Sequence, residues 1–234
     1  VNLAAPFAGN RIDPALYSRA AVNLASRLIA NSPPLDSCGL VVFGGRTKRN
    51  EAQYIGRVDY QLNEKNSVFG RYLANTVDQP SAYTFGQLLL NTGSRGSDNL
   101  VQSATVGDTY LIGPSTVNAL RLSYNRSKST TSGVNFFSSC DLGVNFYCGY
   151  APKRMGAFTV ANTFSMGSSA GGDGQIYVGD MYQISDDLSH VVGAHQFSVG
   201  GYGMVSKFHQ TNHFTNAGTW NFSAQQTGLA MGDF

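Results

Sequence analysis

Four histidines, three cysteines and one adjacent pair of carboxylates are the residues whose types could carry chemistry, and their spacing decides what each could do. His209 and His213 stand four apart, which would put two imidazoles on one face of a helix and suit a metal ion. The segment around them reads instead as a strand end or loop, and no carboxylate or cysteine lies near in sequence to complete a ligand set. His190 follows Asp186 and Asp187 closely, but neighbouring side chains on a strand alternate faces, and no serine sits in a nucleophile-elbow pattern. Gly171-Gly172-Asp173-Gly174 lacks the lysine and hydroxyl of a phosphate loop and reads as a loop tip. The expectation is a chain with no catalytic site, no metal and no cofactor: not an enzyme.

Cys140 and Cys148 stand within one polar, aromatic stretch, outside any C-x-x-C or zinc spacing. A loop disulfide between them is the better reading, and it points to an oxidising compartment. Cys38 is left without a nameable partner.

Charged residues make up 13% of the 234-residue chain, against about 25% in an ordinary soluble domain. So few charges make a soluble surface hard to build. No run of 18 or more apolar residues exists, so a transmembrane helix is excluded. A closed β-barrel needs only one apolar face per strand, and the mean hydropathy of -0.15 fits one. The formal charge of +2 is spread along the chain apart from Arg46-Thr47-Lys48-Arg49, read as a solvated loop, so nucleic acid is not expected as a partner. No basic, cleavable leader opens the chain at Val1 to Gly9, so it is expected to be processed or internal to a longer protein.

The elements that must position these residues are strands. Glu51–Leu62 and Ser67–Asn75, Asn99–Ile112 and Thr116–Lys128, and Gln175–Val191 and His195–Phe208 form three expected hairpins, each with a short turn. Between them lie long polar connections over 76–98 and 129–174. Tight turns on one side and long loops on the other are the topology of an outer-membrane barrel, with the loops facing outward. Residues 51–234 are thus expected to supply barrel strands, and 1–50 an extracellular loop segment with one short helix. That helix is predicted from Asp13, as cap, through Pro14 to about Ile29, with Leu16, Ala20, Leu24 and Leu28 as its stripe and Asn31-Ser32-Pro33-Pro34 as its end.

Each strand run is about ten residues or more, enough to cross a bilayer at a tilt. Alternation is clearest where Leu120, Leu122 and Tyr124 interleave with Arg121, Ser123 and Asn125, and next where Tyr54, Val58, Tyr60 and Leu62 interleave with Gln53, Arg57, Asp59 and Gln61. The run from Gln175 is ambiguous, because Asp180 shares a face with Ile176, Val178, Tyr182 and Ile184. Tyr54, Phe69, Tyr72, Tyr110, Tyr124, Tyr177 and Phe208 fall near run ends, as an aromatic girdle would place them.

The run from Arg57-Val58-Asp59-Tyr60 through Asn63-Glu64-Lys65-Asn66 to Phe69-Gly70-Arg71-Tyr72 resembles a hairpin of TonB-dependent outer-membrane receptors of the Oar-like subgroup. Thr116-Val117-Asn118 through Arg121, Tyr124 and Arg126 is similar to a strand of the same family. Asp187-Leu188 through Gly193, His195 and Gly200-Gly201 is similar to a later hairpin, and Gly9-Asn10-Arg11-Ile12-Asp13-Pro14 to a loop before the first motif. All four stand in family order.

The resemblance implies an all-β fold: an antiparallel up-and-down segment of six to seven strands from a large transmembrane barrel of about 22 strands. The family's N-terminal β-sandwich, plug, TonB-contacting box and closing strand are not in this sequence, so the chain would be an internal part whose neighbours close the barrel. Implied partners are outer-membrane lipid, the remaining barrel and plug, TonB through the N-terminal part, and a small ligand or polymer. The implied activity is import from the cell surface. Loop aromatics Tyr83, Phe85, Phe136, Phe137, Phe146 and Tyr147 are the candidates for ligand contact. The alternative is a surface structural or adhesive protein without import, and a third class is a soluble secreted β-protein.

Overall fold

The computed structural model describes residues 2–30, 32–33, 36–133, 135–149, 153–167, 174–213 and 215–234. Its strands are β1 (Asn50–Gln61), β2 (Asn66–Gln79), β3 (Gly96–Gly113), β4 (Thr116–Ser132), β5 (Ala157–Val160), β6 (Phe164–Met166), β7 (Gln175–Val192), β8 (His195–Thr211) and β9 (Thr219–Phe222). Two α-helices, α1 (Arg19–Ala30) and α2 (Ala230–Asp233), complete the elements that matter here. Six strands form one sheet in the order β1-β2-β3-β4-β7-β8, every neighbouring pair antiparallel. The expected up-and-down segment is present, with all three hairpins.

Local chemistry sets the turns. Asn63 Oδ1 accepts from the backbone N–H of Lys65 at 2.9 Å and of Asn66 at 3.0 Å, closing the first turn from its own side chain. Gly193, at φ +59°, supplies the left-handed residue of the β7–β8 turn.

Register gives the sheet two unlike faces. Val58, Gly70, Val106, Leu122, Ile184 and Gly203 lie side by side across the six strands, next to a row containing Tyr72, Ala104, Tyr124, Tyr182 and Val205. One residue along each strand, the opposite face carries Arg57, Arg71, Thr105, Ser123 and Gln183, with Met204 as the apolar member on β8. The apolar face is uncovered: Val58 is 72% exposed and Ile184 51%. A water-soluble chain rarely leaves such a contiguous apolar surface open. Asp180 belongs to this face, as its spacing suggested, and is met there by Arg126 Nη1 at 3.0 Å and the Tyr124 hydroxyl at 2.6 Å.

The packed core lies beyond one end of the sheet. Leu24, Leu89, Leu142, Met155, Phe158 and Met166 form its buried centre. They come from α1 and from the connections opposite the tight turns, which fold together as a cap.

Three expectations change in detail. The helix predicted from Asp13 begins at Arg19: the Asp13 carboxylate caps only a 3-10 turn over Pro14–Leu16, Tyr17 is extended, and Ser18 Oγ accepts from the Ala21 N–H to start α1. Leu16 consequently leaves the apolar stripe and is 68% exposed, while Leu24 is fully buried. Of the expected helix terminator, Asn31 and Pro34 lie outside the described residues.

The strands also run further than predicted, leaving 80–95 rather than 76–98 as the first long connection, because polar residues such as Asp78 and Asp98 still pair across the ladder. The 129–174 stretch is partly strand: β4 continues to Ser132, and β5 and β6 form a second sheet in the order β6-β5-β9, with β5 and β9 parallel.

Candidate functional site

The cap gathers chain segments far apart in sequence. The Asn23 side chain on α1 donates to the Leu142 carbonyl at 3.1 Å, tying the N-terminal helix to the connection after β4. Just before Leu142, Asp141 accepts from the Ser138 N–H at 2.8 Å, the Ser138 hydroxyl at 2.9 Å and Lys153 Nζ at 2.9 Å. The Ser138 backbone N–H, then Lys153 and the Ser138 hydroxyl, hold this carboxyl at a pKa of about 2. Cys140, in the same turn, is disulfide-bonded to Cys148. Cys38 is free and exposed.

The disulfide-closed loop delivers Phe146 to Trp220, whose ring centroid is 5.3 Å away in an edge arrangement. Parallel pairing of β5 with β9 sets Trp220 opposite Phe158, and the two rings stack at 4.8 Å. Gly156 and Gly218 leave room for the indole: a Cβ on either would lie 2.2 Å from it. Phe234 closes the other side, with its ring edge-on to Phe164 and Phe222.

Of the six candidate contact residues, three form one cluster. Tyr83 meets Phe136 edge-on at 5.4 Å, Phe136 lies 4.0 Å from Phe137, and the Arg27 guanidinium lies 4.4 Å above the Phe137 ring. All three rings are partly buried against the cap core, and burial pushes the Tyr83 hydroxyl above its ordinary pKa. Phe85, Phe146 and Tyr147 are exposed, Phe146 despite its contact with Trp220. A groove of about 270 Å³, lined by Leu16, Tyr17, Val22, Met231 and Phe234, opens between α1 and α2.

Trp220, Phe158, Phe222 and Phe234 were missed by sequence reasoning. Thr219-Trp220-Asn221-Phe222 does alternate, but four residues are too few for a spanning strand.

The polar face of the main sheet carries a second constellation. Arg57 grips Asp59 through Nε at 2.9 Å and Nη2 at 2.6 Å, and its guanidinium lies 4.1 Å from the Phe69 ring centre. Phe69 in turn covers Gly107, where a Cβ would lie 2.4 Å from the ring. Further along, Arg121 Nη1 meets Asp187 at 3.1 Å. Asp186 turns to the other face, where it accepts from Asn118 at 2.7 Å, so the adjacent carboxylates face apart.

These arrangements can bind and position side chains. His190 Nδ1 lies 2.7 Å from Thr116 Oγ1, and His209 sits on β8 with His213 beyond its end, not on a helix. Among the described residues no three His, Cys, Asp or Glu side chains could hold a metal ion. Gly171, Gly172 and Asp173 of the glycine-rich loop lie outside the described residues.

Compared with known proteins, residues 1–234 match a family model described as an outer membrane beta barrel domain. No curated protein and no solved structure matches the chain.

Proposed function

The chain belongs to the outer membrane beta-barrel domain family, and from that premise we propose that it is wall and loops of a TonB-dependent transporter that imports a ligand through a plugged barrel. Membership makes the apolar face of the main sheet the lipid surface and the polar face the lumen. β1 and β8, each with one neighbour among the described residues, are then joined by further strands that close the wall, since open edges are not tolerated in lipid.

The observation that carries the import reading is the placement of the hairpin motif. Arg57, Asp59, Phe69 and Arg71 all stand on the polar face, joined there by Arg121 and Asp187. A lumen lined with fixed charge of both signs offers ion-pair and hydrogen-bond partners to a folded plug. The cap, facing the cell surface in this reading, offers Phe85, Phe146 and Tyr147 at its exterior for ligand contact, with Tyr83, Phe136 and Phe137 holding its shape. Outer-membrane lipid, the remaining barrel and plug, and TonB are the partners the proposal requires.

Planar-bilayer conductance of the full-length protein tests it. A plugged importer passes little current until the plug is loosened with urea, and TonB is retained by the purified protein. A large steady conductance without urea would sink the proposal, and failure to retain TonB would leave surface adhesion as the better account.

A further inference from the structure

The lipid-facing surface is not uniformly apolar, and its exception has a shape. Toward the loop end of β4, β7 and β8, Arg126, Asp180 and Lys207 lie side by side in register, with Lys128 two residues further along β4 on the same face. Lys128 and Lys207 are exposed, and Lys207 Nζ lies 5.9 Å from the Tyr182 ring centroid. Three cations on β4 and β8 therefore stand around the Asp180 carboxylate of β7, and the next carboxylates on this face, Asp98 and Asp78, lie one row nearer the loops than Lys128, on β3 and β2. Asp180 already accepts from Arg126 and Tyr124 and is the more covered partner, its side chain 20% exposed against 41% for Arg126.

Immediately on the turn side of this row the surface dips into a groove of about 720 Å³. Its floor is small because Ala104 and Gly203 supply almost no side chain, and its walls are Leu122, Tyr124, Tyr182 and Ile184. An excess of positive charge at one end of an apolar furrow is the complement of a lipid: an anionic phosphate joined to an alkyl chain. Basic clusters at the membrane interface attract such headgroups, each Lys or Arg contributing to the hold.

We propose that Arg126, Lys128 and Lys207 bind the headgroup phosphate of an anionic lipid in the loop-side leaflet, with one of its acyl chains lying in the groove over Ala104 and Gly203. The site rests on the barrel-wall assignment but needs neither plug nor TonB, so it stands or falls separately from import.

Native mass spectrometry of the full-length protein, released from nanodiscs of phosphatidylcholine doped with phosphatidylglycerol, tests it. Phosphatidylglycerol should be retained over phosphatidylcholine, and the double substitution K128Q/K207Q should lower that preference roughly thirtyfold, two interfacial cations being lost. K65Q, in the β1–β2 turn at the opposite end of the sheet, should leave it unchanged. Filling the furrow with G203L should lower retention while all three cations remain. Equal retention of the two lipids by the unaltered protein, or retention by K128Q/K207Q equal to that of the unaltered protein, overturns the site. Both lysines are exposed, and resistance of the variant barrels to proteinase K, which needs no lysine at the cleaved bond, confirms that they have folded.

Discussion

The guanidinium of Arg57 lies 4.1 Å from the centre of the Phe69 ring, on neighbouring strands and on the polar face of the sheet. Asp59, two residues along β1 and so on the same face, holds that guanidinium through two nitrogens. Phe69 is thereby pinned flat above Gly107 of β3. The pair explains why a motif with Arg and Asp two apart, followed by a Phe across the turn, forms a unit: each side chain limits the rotamers of the next.

Gly107→Ala is expected to break that unit. The new methyl would stand 2.4 Å from the Phe69 ring, which must swing out from under Arg57. Overpacking of this kind costs about 1–3 kcal/mol. Urea unfolding of the barrel in detergent should report a loss in that range, while Gly56→Ala, where a Cβ meets nothing within 4 Å, should be close to neutral. Equal effects from the two would mean that the ring has somewhere else to go.

The same residues show what could be read without coordinates. Strand periodicity of two exposes Arg57, Asp59 and Gln61 as one face and Val58 and Tyr60 as the other, because the backbone alone dictates which way a strand residue points. Asp180 was ambiguous for the complementary reason: its acceptability on an apolar face depends on Arg126 and Tyr124, 54 and 56 residues away, and no local pattern announces a cross-strand partner. The start of α1 was misplaced because Asp13-Pro14 is a sound helix opening in itself, and the extended backbone at Tyr17 resets the count. The cap was the least legible part. Its core joins α1 to residues beyond 200, and its strands are too short to show a period.

Trp220 is the only tryptophan, so its emission reports the cap alone. Gly156→Ala would place a methyl 2.2 Å from the indole and 2.3 Å from the Ala217 carbonyl oxygen, and the latter is backbone that cannot rotate aside. The expected result is a red-shifted, more quenchable Trp220 with the transmembrane sheet intact by circular dichroism. An unshifted spectrum would show that β5 and β9 can part without exposing the ring.

Reduction of the Cys140–Cys148 bridge should loosen the same neighbourhood by a different route. The bridged cysteines are 8 apart in sequence, and closing a loop of that length is worth about 2.5 kcal/mol in the chain-entropy model. Cys140→Ser with Cys148→Ser should lower the midpoint of the Trp220 transition and weaken contact with Phe146, leaving the barrel transition where it was. If both transitions fall together, cap and wall unfold as one unit.

Asp141 makes the cap acid-sensitive in a defined window. Its carboxyl is held at about 2 in the folded cap by the Ser138 N–H, Lys153 and the Ser138 hydroxyl, whereas an unfolded Asp titrates near about 3.9. A carboxylate whose folded pKa is the lower one contributes stability that is complete above the unfolded value and drains away as the pH falls through the folded one. The Trp220 unfolding midpoint should therefore hold steady from neutral pH down to about 5 and decline from there toward about 2. Asp141→Asn removes the titrating group, so the variant should start less stable at neutral pH and show a shallower decline across that window. A parallel decline in both proteins would assign the acid sensitivity to another carboxylate, with Asp233 next in line: it accepts from the Thr227 N–H at 2.7 Å, and its bonds to Thr227 and Gln226 outweigh burial and lower its pKa.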